Sequence, residues 1–214
     1  KRFFDNRLAL SGGLRADANS LSNGEQNPLK QLSPRISASV ALSENLNFSS
    51  SYGLYYRLPG YTQIAFTNAN GISINPAEYI RSTHAAAGFE YLPNNLFRLT
   101  VEGFYKWYTD YPVSLTDGIS LANKGTEFGA IGNEPVIQNG KGRAYGLELF
   151  VQKKLSKKFF GVFSYTLYRS EFTGLNGLYE PATWDNRHLL SFTGGYKLGR
   201  NWELGLKFRY QGSA

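Results

Sequence analysis

Residues 201–211 read NWELGLKFRYQ, with Trp202, Leu204, Leu206, Phe208 and Tyr210 on every second position and Glu203, Gly205, Lys207, Arg209 and Gln211 between them. Successive side chains of an extended chain point to opposite faces, so this segment reads as a strand with one apolar and one charged face. The same alternation recurs along the chain. Phe97, Leu99, Val101, Tyr105 and Trp107 oppose Arg98, Thr100, Glu102 and Lys106; Tyr145, Leu147, Leu149 and Val151 oppose Glu148 and Gln152. Leu190, Phe192, Tyr196 and Leu198 oppose Ser191, Thr193 and Lys197, and Ile36, Ala38, Val40 and Leu42 oppose Arg35, Ser37, Ser39 and Ser43. No helical periodicity of comparable length competes. Nine strands are predicted, over 3–15, 32–43, 46–57, 79–92, 95–109, 142–154, 158–170, 186–198 and 201–211.

The connections alternate as regularly. Tight turns are predicted at Glu44-Asn45, Pro93-Asn94, Ser156-Lys157 and Gly199-Arg200, and long polar loops at 16–31, 58–78, 110–141 and 171–185. In an antiparallel meander this order gathers the tight turns at one end and the loops at the other, as in outer-membrane barrels. Aromatic residues fall near both ends. Phe48, Tyr91, Phe97, Phe159 and Trp202 lie by the tight turns, and Tyr55, Tyr56, Tyr105, Trp107, Tyr108, Tyr168 and Tyr210 by the loops. They read as two interfacial girdles, with Trp202, Tyr91, Phe97, Tyr105, Trp107 and Tyr210 their members of choice.

Five apolar side chains per strand, each contributing about 1.5–3 kcal/mol when removed from water, amount to roughly 10 kcal/mol. A water-soluble protein would cover that face with a second layer, which the sequence does not supply, whereas hydrocarbon rewards it directly. In lipid the sheet must close, because an open edge leaves backbone groups unpaired. The predicted fold class is therefore all-β: an antiparallel up-and-down transmembrane β-barrel, present in part, as about nine strands of a larger barrel. The odd strand count and the absence of Met suggest a piece of a longer chain. No apolar run approaches the roughly 18 residues of a membrane helix.

Composition bounds the chemistry. Without Cys there is no disulfide, thiolate metal site or cysteine nucleophile. The net charge of +7 comes from scattered residues apart from Lys153, Lys154, Lys157 and Lys158, which straddle a turn and read as solvated lysines. A nucleic-acid surface would place aromatics and cations on one face, and here they take opposite parities, so no nucleic-acid partner is expected. The two histidines, His84 and His188, give little support to a metal site or a Ser-His-Asp triad. His84 sits at a polar-face position, and His188 follows Asp185 near a strand mouth, where loop hydrogen bonding is its expected role. Gly140, Gly142 and Gly146 miss the G-x-G-x-x-G spacing and are read as relieving crowding between strands. Glu102, Glu148, Glu203, Lys106, Lys197, Lys207 and Arg209 share the polar parity and are expected to form cross-strand charge ladders. No pair is spaced for acid–base work, so no enzyme activity, catalytic residue, metal or cofactor is expected.

The stretch GKGRAYGLELFVQKKLSKKFFGVFSYTLYRSEF (140–172), followed by WDNRHLLSFTGGYKLGRNWELGLKFRYQG (184–212), resembles the C-terminal part of the β-barrel of TonB-dependent outer-membrane receptors, in the style of Bacteroidetes members. The shared features are G-x-A-x-G-x-E at Gly142, Ala144, Gly146 and Glu148, and D-x-x-H at Asp185 and His188. YGLYYRLPGYTQI (52–64) matches the family's strand ending in R-x-P at Arg57 and Pro59; the usual continuation is blurred to Pro76, Glu78 and Gly88. The resemblance covers residues 1–212 and implies a 22-stranded barrel plugged by a globular domain, importing a scarce ligand with energy passed from TonB through the plug. It implies outer-membrane lipid, the plug of the same full-length protein, TonB acting through that plug and a transported small ligand as partners. Residues 1–214 would form one barrel segment without plug, TonB box or terminal strands, located in the bacterial outer membrane. The ligand would be a siderophore, vitamin or oligosaccharide. Arg57, Tyr61, Asp110, Tyr111, Trp184, Asp185 and Arg187, where aromatic and charged residues meet at the loop ends, are the candidate ligand contacts. A passive pore and a soluble all-β binding domain are the competing readings.

Overall fold

The computed structural model describes residues 1–5, 7–21, 25–72, 75–125 and 130–212. Parts of the loops predicted at 16–31, 58–78 and 110–141 lie outside these residues. Among these residues eleven strands form one antiparallel sheet: β1 Arg2–Phe3, β2 Leu8–Ala16, β3 Leu32–Ala41, β4 Leu46–Arg57, β5 Ile80–Asn94, β6 Phe97–Ser114, β7 Val136–Ser156, β8 Phe159–Thr173, β9 Tyr179–Pro181, β10 His188–Gly199 and β11 Trp202–Gln211. Ten run as a meander in chain order, and β9 pairs with β8 off that path. The only helical turns among the described residues are α1, Tyr61–Ile64, and a 3-10 turn at Leu121–Asn123.

Register decides the faces. Tyr210, Phe208, Leu206 and Leu204 on β11 stand opposite Leu190, Phe192, Gly194 and Tyr196 on β10, which in turn oppose Tyr165, Phe163, Gly161 and Phe159 on β8. Opposed residues share a face, so the apolar row continues through Leu149 and Leu147 of β7 and Val101 of β6 to Phe89 of β5, Phe48 of β4 and Val40 of β3. The other face carries serines, glycines and charged residues. No layer of the described residues covers the apolar side: Leu204 is 63% and Leu206 61% exposed. Trp202, Tyr91, Phe97, Tyr105, Trp107 and Tyr210 all lie on that side, and Tyr105 stacks against Trp107 at 4.3 Å and Tyr145 at 5.3 Å. Tyr55, Tyr108 and Tyr168 do not join them, because they stand opposite Ser82, Gly142 and Gly146 on the polar face.

Several boundaries differ from the sequence reading. The strand expected over 3–15 is broken into β1 and β2 by a turn in which Phe4 and Asp5 adopt positive φ (52° and 53°) and the Arg7 amide donates to the Phe4 carbonyl. Strands β6 and β7 invade the loop expected at 110–141, extending their ladder to Ser114 and Val136, and β9 adds a short pair inside the loop at 171–185. The tight turns fall within two residues of their expected places, with Lys157, Arg200 and Asn201 at positive φ. The expected charge ladder exists at one rung, Lys197 opposite Glu203, whereas Glu102 faces Glu148, a like-charged pair.

Close strand contact fixes the glycine at 146. A Cβ there would lie 2.7 Å from Tyr168 Cβ and 2.9 Å from its Cα, against backbone that cannot move aside. Gly146→Val is expected to cost at least about 1–3 kcal/mol through overpacking and to reduce the heat-resistant folded fraction seen on unboiled gel electrophoresis; an unchanged fraction would refute this account of the β7–β8 contact.

Candidate functional site

The chain's buried side chains gather at the long-loop end. Val113, Leu121, Val136, Phe172, Ala77 and Ala182 are buried there, together with Gln63, Asn75, Ser114, Ser120 and Asp185. This small core holds the loops in place over the polar face of the sheet. Asn75, 8% exposed, is its main fastening: its Nδ2 donates to the carbonyls of Gln63 (2.8 Å) and Glu134 (2.7 Å), and its Oδ1 accepts from the Val136 amide (2.9 Å). Thr62 Oγ1 donates to the Ile131 carbonyl and Thr183 Oγ1 to that of Asn123, so the loops after β4, β6 and β8 are tied together. Lys124 sits between Asp117 and Glu134, 2.7 Å from each, and Glu134 also accepts from Ser114 Oγ.

Under these loops lies a cavity of about 680 Å³ lined by Tyr55, Arg57, His84, Tyr108, Tyr111 and Trp184, with further contributions from Gln63, Lys124 and Phe172. A bulge builds its aromatic wall. At Asp110 the backbone takes a φ of 59° and the β6–β7 register shifts between Tyr108 and Tyr111. The extra residue brings both tyrosines onto the same side, where their rings meet Phe172 at 5.3 and 4.6 Å. Gln138 braces the bulge, donating to the Asp110 and Glu78 carbonyls. Gly142 makes room for the Phe172 ring, which occupies the space that a Cβ would need.

The seven expected contact residues separate into two groups. Arg57, Tyr111 and Trp184 line the cavity, and Trp184 is 64% exposed. Tyr61 does not: it projects from α1 and is 79% exposed. Asp110 serves the bulge. Asp185 is 1% exposed, accepting from the Ser170 amide and pairing with Arg169 at 3.2 Å, so it anchors the loop that presents Trp184. Arg187 has a φ of 53° and contributes its carbonyl to the Tyr168 amide. His188 pairs with Tyr165 OH at 2.8 Å, a structural contact. Tyr55, Tyr108, His84, Gln63 and Lys124 are cavity residues that the sequence reading did not nominate; for Tyr55 the usable signal was its parity with Ser49, Ser51 and Gly53.

The ion cluster in the roof responds to pH. Burial pushes the Asp117 carboxyl up, but the Lys124 ammonium and the Ile119 amide outweigh it and hold the group below its ordinary 3.8. Burial likewise pulls Lys124 down, and Asp117 and Glu134 together hold it above its ordinary 10.5. The contribution from Asp117 is fully present above pH 3.8 and is lost as pH falls through its lowered value; that from Lys124 is fully present below pH 10.5 and is lost as pH rises through its raised value. Hydrogen exchange of the loop amides at 115–125 is expected to be flat between those limits and to quicken, after correction for intrinsic rates, beyond either. Asn75→Ala is expected to weaken the loop core by on the order of 3 kcal/mol and to open these loops to limited proteolysis while leaving the sheet protected; protease resistance equal to that of the unaltered protein would refute the fastening role.

The family model described as TonB dependent receptor-like, beta-barrel, matches residues 2–214. No curated protein matches at the sequence level. Among solved structures, the chain is similar to the ferric-catecholate import receptor Fiu from K12 E. coli, at 17% identity and a TM-score of 0.67, covering 96% of this chain and 32% of that one. It is similar to the copper transporter OprC, at 16% identity and a TM-score of 0.66, covering 98% and 32%. It is also similar to the pyoverdine outer membrane receptor FpvA from Pseudomonas aeruginosa PAO1, bound to pyoverdine, at 14% identity and a TM-score of 0.59, covering 85% and 25%. The chain spans about a third of these structures or less, and at such identities the likeness is one of fold.

Proposed function

We propose that this chain, which belongs to the TonB-dependent receptor family as part of its β-barrel, forms a section of barrel wall in the bacterial outer membrane and lines the outer mouth through which the complete receptor takes up a scarce ligand. The ligand is a siderophore, vitamin or oligosaccharide, and the complete receptor uses its plug and TonB to move it. One observation carries the reading: the sheet leaves a continuous apolar face uncovered, while its opposite face and the long loops enclose an aromatic cavity at one end. Hydrocarbon takes the first face at no desolvation cost, and an aqueous or protein-filled interior takes the second. Aromatic side chains at the mouth offer flat surfaces for stacking and Arg57 a fixed cation. Solved relatives of this fold include the pyoverdine receptor and the ferric-catecholate import receptor, which favours a ligand delivered from outside over a passive pore.

Two experiments test the proposal. Position 206 is near the middle of β11, so Leu206→Lys is expected to cost about 2–4 kcal/mol in the full-length receptor refolded into lipid vesicles, whereas Lys207→Leu changes stability far less. Equal costs would remove the lipid assignment. In energised cells the full-length receptor with Trp184→Ala and Tyr111→Ala is expected to import ferric tris-catecholate, cobalamin or maltohexaose at least about tenfold less well than the unaltered receptor, whichever of them that receptor carries. Import unchanged by both substitutions would remove the cavity from the pathway, and import that persists without TonB would favour a pore.

A further inference from the structure

We propose that the apolar face carries a binding groove for a single phosphate-bearing lipid of the loop-side leaflet, with an acyl chain along β5 and the headgroup on Arg81; this rests on the reading of the sheet as barrel wall. Arg81, Thr83, Ala85 and Ala87 follow one another on the apolar side of β5. The strands beside them are tall. Leu54 and Tyr52 of β4 stand opposite Thr83 and Ala85 on one flank, and Trp107 and Tyr105 of β6 stand opposite the same two residues on the other. Two adjoining hollows result. One, of about 260 Å³, is bounded by Arg81, Thr83, Trp107, Thr109 and Tyr52. The other, of about 930 Å³, begins at Tyr52 and Tyr105 and widens over Ala87, Ser50, Ala38 and Gly103. Beyond Ala87 the next row brings back large side chains, Phe48 and Phe89, with ring centroids 5.1 Å apart.

From Arg81 to Ala87 the groove runs roughly 20 Å along the strand. A transmembrane strand is tilted by about 45°, so that length descends about 14 Å, close to half of a hydrocarbon core about 30 Å thick. The groove is therefore one leaflet deep, and it starts at the long-loop end. Its walls are firm, because Tyr105 stacks on Trp107 and on Tyr145. Larger side chains bound it laterally, Leu10 and Ile36 on one side and Leu147 and Tyr145 on the other. No layer of the described residues covers it: Tyr52 is 52% and Trp107 43% exposed.

An apolar hollow beside hydrocarbon fills with hydrocarbon, because water finds too few polar partners there and an empty space forfeits dispersion contacts. A chain held between aromatic walls touches more protein than a chain lying on a smooth wall. The head of the groove is charged. Arg81 is exposed and makes no ion pair among the described residues; its Nε donates to Thr109 Oγ1 at 3.0 Å, which leaves its terminal nitrogens as donors. The nearby carboxylates are otherwise engaged: Asp110 accepts from the Thr109 hydroxyl at 3.0 Å, and Glu171 is paired with Arg143 at 2.7 Å. A lipid phosphate accepts from such a guanidinium in a charge-assisted contact. Lipid is favoured over another protein chain because the groove is one leaflet deep, headed by a cation and continuous with the face that hydrocarbon already covers.

The test uses the full-length receptor in maltoside micelles, titrated with dimyristoyl phosphatidic acid, dimyristoyl phosphatidylcholine and inorganic phosphate, with bound lipid counted by native mass spectrometry. One phosphatidic acid is expected to bind more tightly than phosphatidylcholine and to stay bound in the presence of inorganic phosphate. Arg81→Gln is expected to raise its Kd about tenfold. Ala85→Leu combined with Ala87→Leu fills the groove with side chains that hydrocarbon accepts, so the barrel folds as before while the Kd rises at least about tenfold. An unchanged Kd in either variant would overturn the assignment, and so would displacement of the lipid by inorganic phosphate. A dimer in sedimentation that the filled variant dissociates would give the groove to a second copy and overturn it too. The barrel-wall reading fails separately, if Leu206→Lys costs no more than Lys207→Leu; with that difference intact and no lipid bound, only the groove assignment falls.

Discussion

The structure depends on register. Every strand of the meander hydrogen-bonds to its neighbour so that opposed residues share a face, and a slip of one residue would send each apolar row to the polar side and each charge to the apolar side. The apolar rows run unbroken from β11 to β3 because the irregularities are confined to strand ends. Three register shifts fall beside tight turns, between Tyr91 and Asn94, Lys153 and Ser156, and Lys197 and Gly199. The remaining ones fall at the other end, around Tyr111, and there the break in register creates the aromatic wall of the cavity. The central stretch of each strand is left regular, and that stretch is the one that must satisfy its backbone groups without water.

Burial is distributed accordingly. A sheet with one face to lipid and the other to an aqueous or protein-filled interior has no core of its own, and the few buried side chains of this chain sit under its long loops. There the polar groups fasten and the apolar groups fill. Asn75 and Thr62 link loop to loop, Lys124 collects two carboxylates, and Val113, Leu121 and Phe172 occupy the space between. A loop set with its own core can hold Trp184 at a fixed distance from strand residues such as Arg57 and Tyr108, which is the geometric requirement for recognising a ligand at the mouth.

The faces of the sheet were legible in the sequence because period-two alternation is local: Leu204, Leu206 and Phe208 identify their side without reference to any other strand. The short break after Phe3 was not, since an Asp turn inside an apolar run resembles a strand until its positive φ is known. The loop at 110–141 hid two strand ends, because Pro112 and Gly140 are residues that ordinarily stop strands, yet here they continue the ladder beside a bulge. Arg57, Tyr111 and Trp184 could be picked out as loop-end aromatics and cations. Asn75 could not, because two of its three partners lie 59 and 61 residues away and nothing near it marks burial. Residue type places Tyr55 and Tyr108 in a membrane girdle, but Tyr55 shares its parity with Ser49, Ser51 and Gly53 and Tyr108 with Glu102 and Lys106, which sets both on the polar face.

The polar face also changes sign along its length. Among the described residues Arg57, Arg35 and Lys106 make no ion pair, and two rows beyond Lys106 the carboxylates Glu102 and Glu148 stand opposite each other. The two rows are four residues apart along each strand, roughly 14 Å, which is more than the screening length of about 8 Å at physiological salt. The aromatic residues of the cavity, Tyr55, Tyr108 and Tyr111, lie toward the cationic row. The Tyr55 ring, held over Gly53 between Arg35 and His84, places an aromatic surface at the depth of the cationic row.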